Sequence, residues 1–333
     1  MGAHVFIADS ETFPILRDNG FLAVYREDQT RDLWEKTRAD ILADLCCLRI
    51  GDRIFFYETN RGFHGIYRVR SLPFTDETRF GSVGADAPYR VLIEPLHYFP
   101  NPVSELRVLG LKNSANELRS LFYKKALQRG KAITHLFPEE ERKLTELLLK
   151  ANDGEAKLAV SLYEPHDKPP ITFDLEPSEN GEVKYEKILE GWLMQHIDKP
   201  EFKCDLFLRD LNDIETFANY VPTNIAGGNI DVIVYHKRAM NGVEMRYKIS
   251  VIELKKGKID ESAVIEIEEY VKWAGEHLAN NDVEMVQPVL IGKKVNERAI
   301  ARCKCYGISG RKPILIEYAI LPNYQISFSR KDY

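Results

Sequence analysis

Two apolar segments flank an Asn-Gly pair in the second half of the chain, and this arrangement constrains the fold more than any other feature. Residues 229–256 read NIDVIVYHKRAMNGVEMRYKISVIELKK, with Asn241-Gly242 between the two segments. An Asn-Gly pair between strand-like runs is a strong β-hairpin signal, because both residues tolerate the positive φ angles of a two-residue turn. We therefore predict two neighbouring antiparallel strands.

The second of these strands ends in charged residues. Side chains alternate between the two faces of an extended strand, so Glu253 and Lys255 point one way while Ile252 and Leu254 point the other. The hairpin is expected to bring Asp231, the one acid of the first strand, to the same place. An acid and an amine at the end of a buried strand form either a structural ion pair or a site.

Helices are predicted on both sides of the hairpin in sequence. The segment YEKILEGWLMQHI before it is amphipathic, and its acids Glu186 and Glu190 are four residues apart, so they share one helix face. Either acid is a candidate to complete a carboxylate cluster with Asp231 and Glu253. The segment DESAVIEIEEYVKWAGEHL after the hairpin has an apolar stripe, with Glu266 opposite it.

These residue types suit phosphodiester hydrolysis. Hard carboxylate oxygens bind Mg²⁺ or Mn²⁺, and such an ion lowers the pKa of a bound water and offsets charge that develops on a phosphate. A lysine at the same point orients the water or stabilises the charged transition state. The structural alternative is an ordinary ion pair at the end of a strand.

The motif order resembles the PD-(D/E)XK nuclease superfamily, and more closely the C-terminal domain of NucS-type endonucleases. The matching features are VIELKKG after the hairpin, Glu186 at the family's helix glutamate and Tyr270 at its tyrosine, while Glu266 stands where the family has Gln. The resemblance implies a cofactor, Mg²⁺ or Mn²⁺, with Asp231, Glu253 and Glu186 as metal ligands. The implied catalytic residues are Glu186, Asp231, Glu253, Lys255 and Glu266, and the implied nucleic-acid contacts include Tyr270 and Lys256.

Two of these acids have a second interpretation. Glu266 either adds a metal ligand or lies on a solvated helix face, and the sequence favours neither. Glu190 is expected to face solvent.

The first half of the chain carries a second resemblance. Residues 50–78 read IGDRIFFYETNRGFHGIYRVRSLPFTDET and look like the EVE, YTH and PUA-like β-barrels. Those domains bind nucleic acid, and several hold a flipped modified base in an aromatic-walled pocket, where stacking contributes about 1–3 kcal/mol per base. The resemblance implies that several aromatic residues form the pocket wall, with a place in the core as the alternative for each: Phe21, Tyr25, Trp34, Phe63 and Phe80. It also implies phosphate contacts by Arg53, Arg61 and Arg79, for which the alternative is an ordinary solvated side chain.

Length and composition indicate the number of domains and the cellular location. At 333 residues, two domains are expected, and the proline-rich stretch 151–182 reads as a linker. The predicted fold is α/β, with a PUA-like β-barrel and helices in 1–150 and a restriction-endonuclease-like α/β domain with a central mixed sheet in 183–333. Five cysteines without a CxxC pair indicate neither a disulfide framework nor a zinc site, which favours a reducing cytoplasmic location without a membrane partner.

The sequence thus predicts a metal-dependent DNA endonuclease, in its sharpest form a modification-dependent one. Cutting both strands of a duplex favours a homodimer, because one such site cuts one strand. Two alternatives stay open. One is a nucleic-acid reader whose nuclease-like half is an inert scaffold. The other is an RNA-processing nuclease, since PUA-like domains frequently bind RNA.

Overall fold

The computed structural model describes residues 2–26, 30, 34–109, 132–158, 160–199, 213–223, 228–306 and 310–333. The chain divides into two compact units, Met1–Thr172 and Phe173–Tyr333. The division falls inside the stretch that the sequence predicts to be a linker. Among the described helices, none is both long enough and apolar enough to cross a bilayer.

The first unit alternates short strands with helices. In chain order its elements are β1 (Ala3–Ala8), α1 (Thr12–Asn19), β2 (Phe21–Val24), α2 (Trp34–Leu45), β3 (Arg53–Glu58), β4 (Gly62–Val69), β5 (Phe74–Thr75), β6 (Tyr89–Pro95), α3 (Glu105–Leu109), β7 (Ile133–Leu136) and α4 (Pro138–Ala151).

These strands form one mixed, curled sheet in the order β2-β6-β4-β3-β1-β7, with β5 paired to β6. β1 runs parallel to β3, and the other pairings are antiparallel. Apolar side chains from β1, β3 and β4 pack against α4, where Phe55, Leu144 and Leu148 are fully buried. The predicted turn at 60–62 joins β3 to β4, as the aromatic and β-branched runs on either side of it indicate.

The second unit has a helix, a strand pair and a parallel βα segment. Its elements are α5 (Glu186–His196), β8 (Ile214–Pro222), β9 (Asn229–Met240), β10 (Val243–Leu254), β11 (Lys258–Ile259), α6 (Glu261–Leu278), a 3₁₀ turn (Val283–Met285), β12 (Val286–Gly292), β13 (Lys294–Val295), α7 (Glu297–Lys304), β14 (Ile314–Ile320) and β15 (Ile326–Lys331).

Six of these strands form a mixed sheet in the order β15-β14-β12-β10-β9-β8. β10, β12 and β14 are parallel to one another, while β9 is antiparallel to both β8 and β10, and β15 is antiparallel to β14. The central strands are buried on both faces, which is why they read as nearly continuous apolar runs. The structure confirms the α/β class and the central mixed sheet of this unit.

The hairpin forms where the sequence predicts it. Met240 pairs with Val243, and Asn241 and Gly242 have φ angles of +52° and +78°. The turn therefore fixes the register of β9 against β10, and with it the position of every side chain towards the far end of the two strands.

A buried histidine makes this sheet sensitive to acid. His236 of β9 is almost completely buried, and its Nε2 lies 2.8 Å from the Ser250 hydroxyl. Burial, with help from Lys248 and Arg311, lowers the pKa of His236 to about 3. The unfolded chain therefore binds a proton at this residue below about pH 6.5 while the folded chain does not, so stability falls as the pH drops through that range.

We expect the His236→Gln variant to lose less stability than the wild type on acidification. Between pH 7.5 and 5 the histidine should account for about 2 kcal/mol of the wild-type loss in unfolding free energy. Urea denaturation followed by tryptophan fluorescence measures it, with the exposed His166→Gln as control. Identical pH profiles for wild type and His236→Gln would contradict the assignment.

Candidate active site

The open end of the hairpin brings together the residues that end β10 and begin β9. The last pair of the ladder is Ile252 with Val232, so Glu253 and Asp231 are the next residues and lie across from each other. Directly opposed residues share a face of an antiparallel pair. The Leu254 N–H also donates to Asp231 Oδ2 at 2.8 Å. Asp231 is thus held at the end of β10, beside the acid and amine of that strand.

Glu253 is buried with one oxygen unsatisfied. Only 4% of the residue is exposed, and its Oε1 accepts a hydrogen bond from Lys255 Nζ at 2.6 Å. Its Oε2 is buried and has no hydrogen-bond partner among the described residues. A buried carboxylate oxygen without a partner is unusual, and it is an atom that a cation or a water can satisfy.

Lys255 is held between two carboxylates. Its Nζ also donates to Glu266 Oε2 at 2.9 Å, and the other Glu266 oxygen accepts from the Tyr270 hydroxyl at 3.1 Å. Both oxygens of Glu266 are therefore engaged within the protein. Glu266 is therefore placed to orient Lys255, while its side chain is still 41% exposed, so the predicted alternative of a solvated helix face stays open.

Glu190 is buried, which contradicts the expectation that it faces solvent. It is 1% exposed rather than solvent-facing, and it accepts from Lys187 Nζ at 2.5 Å and from Asn219 Nδ2 at 2.8 Å. The prediction is wrong because α5 is buried over more than a single stripe, so the residues adjacent to Glu190 in sequence, Leu189 and Gly191, are buried too.

Glu186 anchors the segment that follows β10. It is the first residue of α5, and its Oε2 accepts from the Lys256 N–H at 3.1 Å. The Lys256 carbonyl in turn accepts from the Tyr318 hydroxyl, and the Lys256 side chain is exposed. Glu186 therefore fixes the backbone next to Lys255.

The carboxylates at this point raise one another's pKa. Desolvation, followed by the charges of Glu253, Glu190 and Glu186, raises the pKa of Asp231 well above its ordinary value, against the opposing Leu254 hydrogen bond. Burial raises the pKa of Glu253 to about 7, although Lys255 pulls it the other way. The site thus holds more negative charge than its own cation offsets.

The pKa of Lys255 is raised as well, which in a lysine favours the charged form. Burial alone would lower its pKa, but Glu253 and Glu266 outweigh burial and raise the pKa above the ordinary lysine value. The side chain therefore carries a positive charge throughout the physiological range. It is suited to stabilise negative charge and unsuited to accept a proton.

The donor set suits a hard divalent cation. Among the described residues no group of three or more His, Cys, Asp or Glu side chains is arranged to hold a metal, so the three predicted ligands are not assembled as a set. Asp231 and Glu253 remain as a pair, with Glu186 hydrogen-bonded to the adjacent backbone. Mg²⁺ is usually held by one or two carboxylates and keeps several waters. The unpartnered Glu253 Oε2 and the excess negative charge fit that mode of binding.

The first unit contains a separate cleft. Its volume is about 460 Å³, and among the described residues it is lined by Arg26, Trp34, Arg38, Thr75, Asp76, Glu77, Pro88 and Tyr89. Trp34 begins α2 and Tyr89 begins β6, so two aromatic side chains from different elements line one opening. Arg26 and Glu77 pair within it at 2.6 Å.

The other aromatic residues predicted for this unit lie elsewhere. Phe63 is 5% exposed and belongs to the hydrophobic core, so its assignment as a stacking residue is corrected. Phe80 is half-buried and packs with Phe21 around the fully buried Arg90. Tyr25 is 46% exposed and is not among the side chains that line the cleft.

The predicted arginine contacts are already engaged or exposed. Arg53 pairs with Glu141, and Arg61 pairs with Glu58 at 3.1 Å. Arg79 is exposed. None of the three lines the cleft.

Sequence reasoning missed several residues of both sites. Asn219 of β8 holds Glu190, but an asparagine within an apolar strand gives no signal of its partner. Tyr89, Arg26 and Arg38 line the cleft of the first unit, although they come from segments far apart in sequence. The register of β6 against β2 and β5 is needed to find them.

No protein-family model matches this sequence, and no curated protein is similar to it at a significant level. Several solved structures show partial likeness. Human THYN1, in complex with DNA containing 5-methylcytosine, is 13% identical with a TM-score of 0.30, covering 44% of this chain and 98% of its own. A protein from Agrobacterium tumefaciens is 18% identical with a TM-score of 0.29, covering 51% and 99%.

The modification-dependent restriction endonuclease AspBHI aligns over more of the chain. It is 12% identical with a TM-score of 0.22, covering 93% of this chain and 77% of its own. At these TM-scores the likenesses assign neither a family nor an activity to this chain.

The crowding of carboxylates predicts that removing one will stabilise the protein. Asp231→Asn deletes one negative charge and keeps an oxygen that can accept from the Leu254 N–H. We expect the melting temperature in EDTA to rise by about 2–4 °C, equivalent to about 1 kcal/mol for a domain of this size. Differential scanning fluorimetry checks this.

The control for this experiment is Glu269→Gln, which removes the same charge from an exposed position of α6. Its melting temperature should match that of the wild type. An Asp231→Asn variant that melts at or below the wild-type temperature would show that the carboxylates do not destabilise one another.

Proposed function

We propose that this protein is a divalent-metal-dependent endonuclease that hydrolyses phosphodiester bonds in DNA, and that its first unit reads a base. The observation that carries the proposal is the end of the hairpin. There two carboxylates, Asp231 and Glu253, share an excess of negative charge beside one permanently charged lysine, and one buried carboxylate oxygen has no hydrogen-bond partner among the residues that the structure describes.

Each residue has a distinct part in this proposal. Asp231 and Glu253 hold the metal ion, which when bound supplies Lewis acidity and an activated water. Lys255 stays protonated and stabilises the negative charge that develops on the phosphate. Glu266, itself hydrogen-bonded by Tyr270, keeps the Lys255 ammonium in place. Glu186 fixes the backbone that follows and adds negative charge that favours cation binding.

The cleft of the first unit supports the base-reading part. Trp34 and Tyr89 offer aromatic surface, and the Thr75 hydroxyl offers a group that can hydrogen-bond a base edge. Asp76 is already occupied, since its Oδ1 accepts from Thr78 and its Oδ2 accepts from Arg90 and Tyr163. Its volume of about 460 Å³ falls within the usual range for small-molecule pockets. A modified base in single-stranded or extruded form is the ligand we propose for this cleft.

Cleavage assays test the nuclease assignment. Purified full-length protein should nick or cut DNA in Mg²⁺ or Mn²⁺ and be inactive in EDTA. We expect Asp231→Ala and Lys255→Ala to reduce the rate by about 100- to 1000-fold, by analogy with the loss of one transition-state donor. Lys272→Ala, an exposed lysine of α6, should retain wild-type activity.

The substrates should include matched DNA and RNA, with and without base modifications. Preferential cutting of RNA would replace DNA as the substrate. Failure to cut any of them, combined with tight binding, would show that the protein is a reader with an inert second unit. Equal activity of wild type and Asp231→Ala would place the chemistry elsewhere.

The base-reading cleft makes its own prediction. Trp34→Ala should weaken binding of the preferred modified DNA by about 1–3 kcal/mol, the usual contribution of one stacked base. Binding of unmodified duplex should change less, because phosphate contacts dominate it. Fluorescence anisotropy in EDTA measures both affinities, with Tyr98→Ala as an aromatic control outside the cleft. An equal loss for both variants would remove Trp34 from the recognition site.

A further inference from the structure

Two parallel strands that end near the carboxylates each continue into a short strand that carries lysine. β10 leads into β11 and β12 leads into β13, and these short strands pair in parallel, with Lys258 beside Lys294 and Ile259 beside Val295. The two apolar residues are 0% and 6% exposed. Because side chains alternate along a strand, both lysines point away from the interior, and both are exposed.

Two more lysines adjoin this pair, and together the four form what we call the lysine ridge: Lys256, Lys258, Lys293 and Lys294. Among the described residues, none of the four ammonium groups has a carboxylate oxygen within the 4.0 Å of an ion pair. Two acids lie beside the ridge: a Cβ at Gly257 would be 3.2 Å from Glu182 Oε1, and Glu317 Oε1 accepts from the Val295 N–H.

Like charges directly beside each other in a sheet are unfavourable. Lys258 and Lys294 occupy neighbouring strands, which are about 4.8 Å apart. An arrangement that repels itself in the free protein becomes favourable when an anion lies across it. The ridge therefore points to a ligand with several negative charges.

The backbone beneath the ridge is fixed. The Lys293 N–H donates to the Gly257 carbonyl at 2.7 Å, and the Asn296 N–H donates to the Ile259 carbonyl at 2.9 Å. At Gly292 a Cβ would lie 2.7 Å from Ile259 and 3.0 Å from the Gly257 carbonyl, so the chains meet too closely for any side chain there. Lys258 and Lys294 thus stand on a rigid backbone, while the Lys293 ammonium lies over the Tyr318 ring, 5.7 Å from its centroid.

The ridge starts next to the candidate active site. Lys256 follows Lys255 in sequence, and the Lys255 N–H donates to the Ile291 carbonyl of β12 at 2.8 Å. The charges of the ridge therefore extend from the point where Lys255 and Glu253 meet.

We propose that the lysine ridge binds the phosphates that flank the scissile one, and so holds a nucleic-acid strand across the end of β10. The inference rests on the proposed function and names how the substrate backbone is held. Backbone phosphates recur at regular spacing, which matches a fixed row of cations better than a single small anion does. The contacts are to phosphate and therefore carry no sequence preference.

The test measures the salt dependence of DNA binding without cleavage. Full-length protein is titrated into a fluorescent, unmodified 30-base-pair duplex in EDTA at several salt concentrations. Relative to wild type, Lys258→Gln/Lys294→Gln should show a slope of log affinity against log salt that is shallower by about 2, since each phosphate contact contributes about 0.9. Affinity at about 0.1 M salt should fall about 10-fold or more.

The matched control is Lys272→Gln/Lys304→Gln, which removes two exposed lysines from α6 and α7. Its slope should stay close to that of the wild type. The ridge variant should melt no lower than wild type, because its substitutions relieve repulsion; a folding defect would therefore be visible separately. Equal slopes for the two double variants, or no binding of the duplex by wild type at low salt, would overturn the proposal.

The outcome separates the ridge from the nuclease assignment. If no substrate is cut but the ridge variant still loses its phosphate contacts, the proposed function fails and the ridge stands. If cleavage is intact and the slopes are unchanged, only the ridge fails. Binding of polyglutamate in preference to DNA would identify an acidic protein as the partner and would also overturn the proposal.

Discussion

The mutual repulsion of carboxylates at the open end of one β-hairpin is the interaction on which the rest of this account depends. Asp231 and Glu253 meet there with Glu190 and Glu186 close enough to raise the pKa of Asp231, and Lys255 is the cation hydrogen-bonded to Glu253. A fold does not gain stability from such an arrangement. Its persistence is explained if a cation joins the site. Glu253 Oε2, which has no hydrogen-bond partner within the described part of the chain, is the atom that such a cation would satisfy.

The elements around the hairpin supply and hold the charged residues at its open end. α5 provides Glu186 and Glu190, α6 provides Glu266, and the parallel neighbour β12 accepts the Lys255 N–H. Lys255 is consequently held by charge and by backbone at once. The same parallel pair continues into β11 and β13, which carry the lysine ridge. Negative charge and positive charge thus adjoin at the ends of the same strands, as the proposed phosphodiester hydrolysis requires.

How much of this could be predicted from the sequence depends on whether the signal is local. Asn241-Gly242 fixes the turn, and alternation along β10 fixes the faces of Glu253 and Lys255, so the position of Asp231 follows from counting residues along two strands. Glu190 shows the limit. Its burial depends on Lys187 and on Asn219 of a different strand, and helical periodicity alone places it in solvent.

The first unit shows the same limit more strongly. Phe63 and Trp34 are equally plausible stacking residues in sequence, because both are aromatic residues near polar neighbours. The curled sheet buries Phe63 against α4 and leaves Trp34 at the edge of a cleft with Tyr89. Which aromatic residue is available depends on packing between segments far apart in the chain, and local patterns do not contain that information. The pairing of Lys258 with Lys294 likewise appears only once β11 and β13 are side by side.

The central claim is that Asp231 and Glu253 hold a divalent cation. Titration of the full-length protein with Mn²⁺, followed by the loss of the free-ion electron paramagnetic resonance signal, measures this without any substrate. The account predicts a bound ion in the wild type and an affinity at least about 10-fold weaker in Asp231→Asn, since even residues that only support a ligand contribute that much. Equal Mn²⁺ affinity in the two proteins would contradict it.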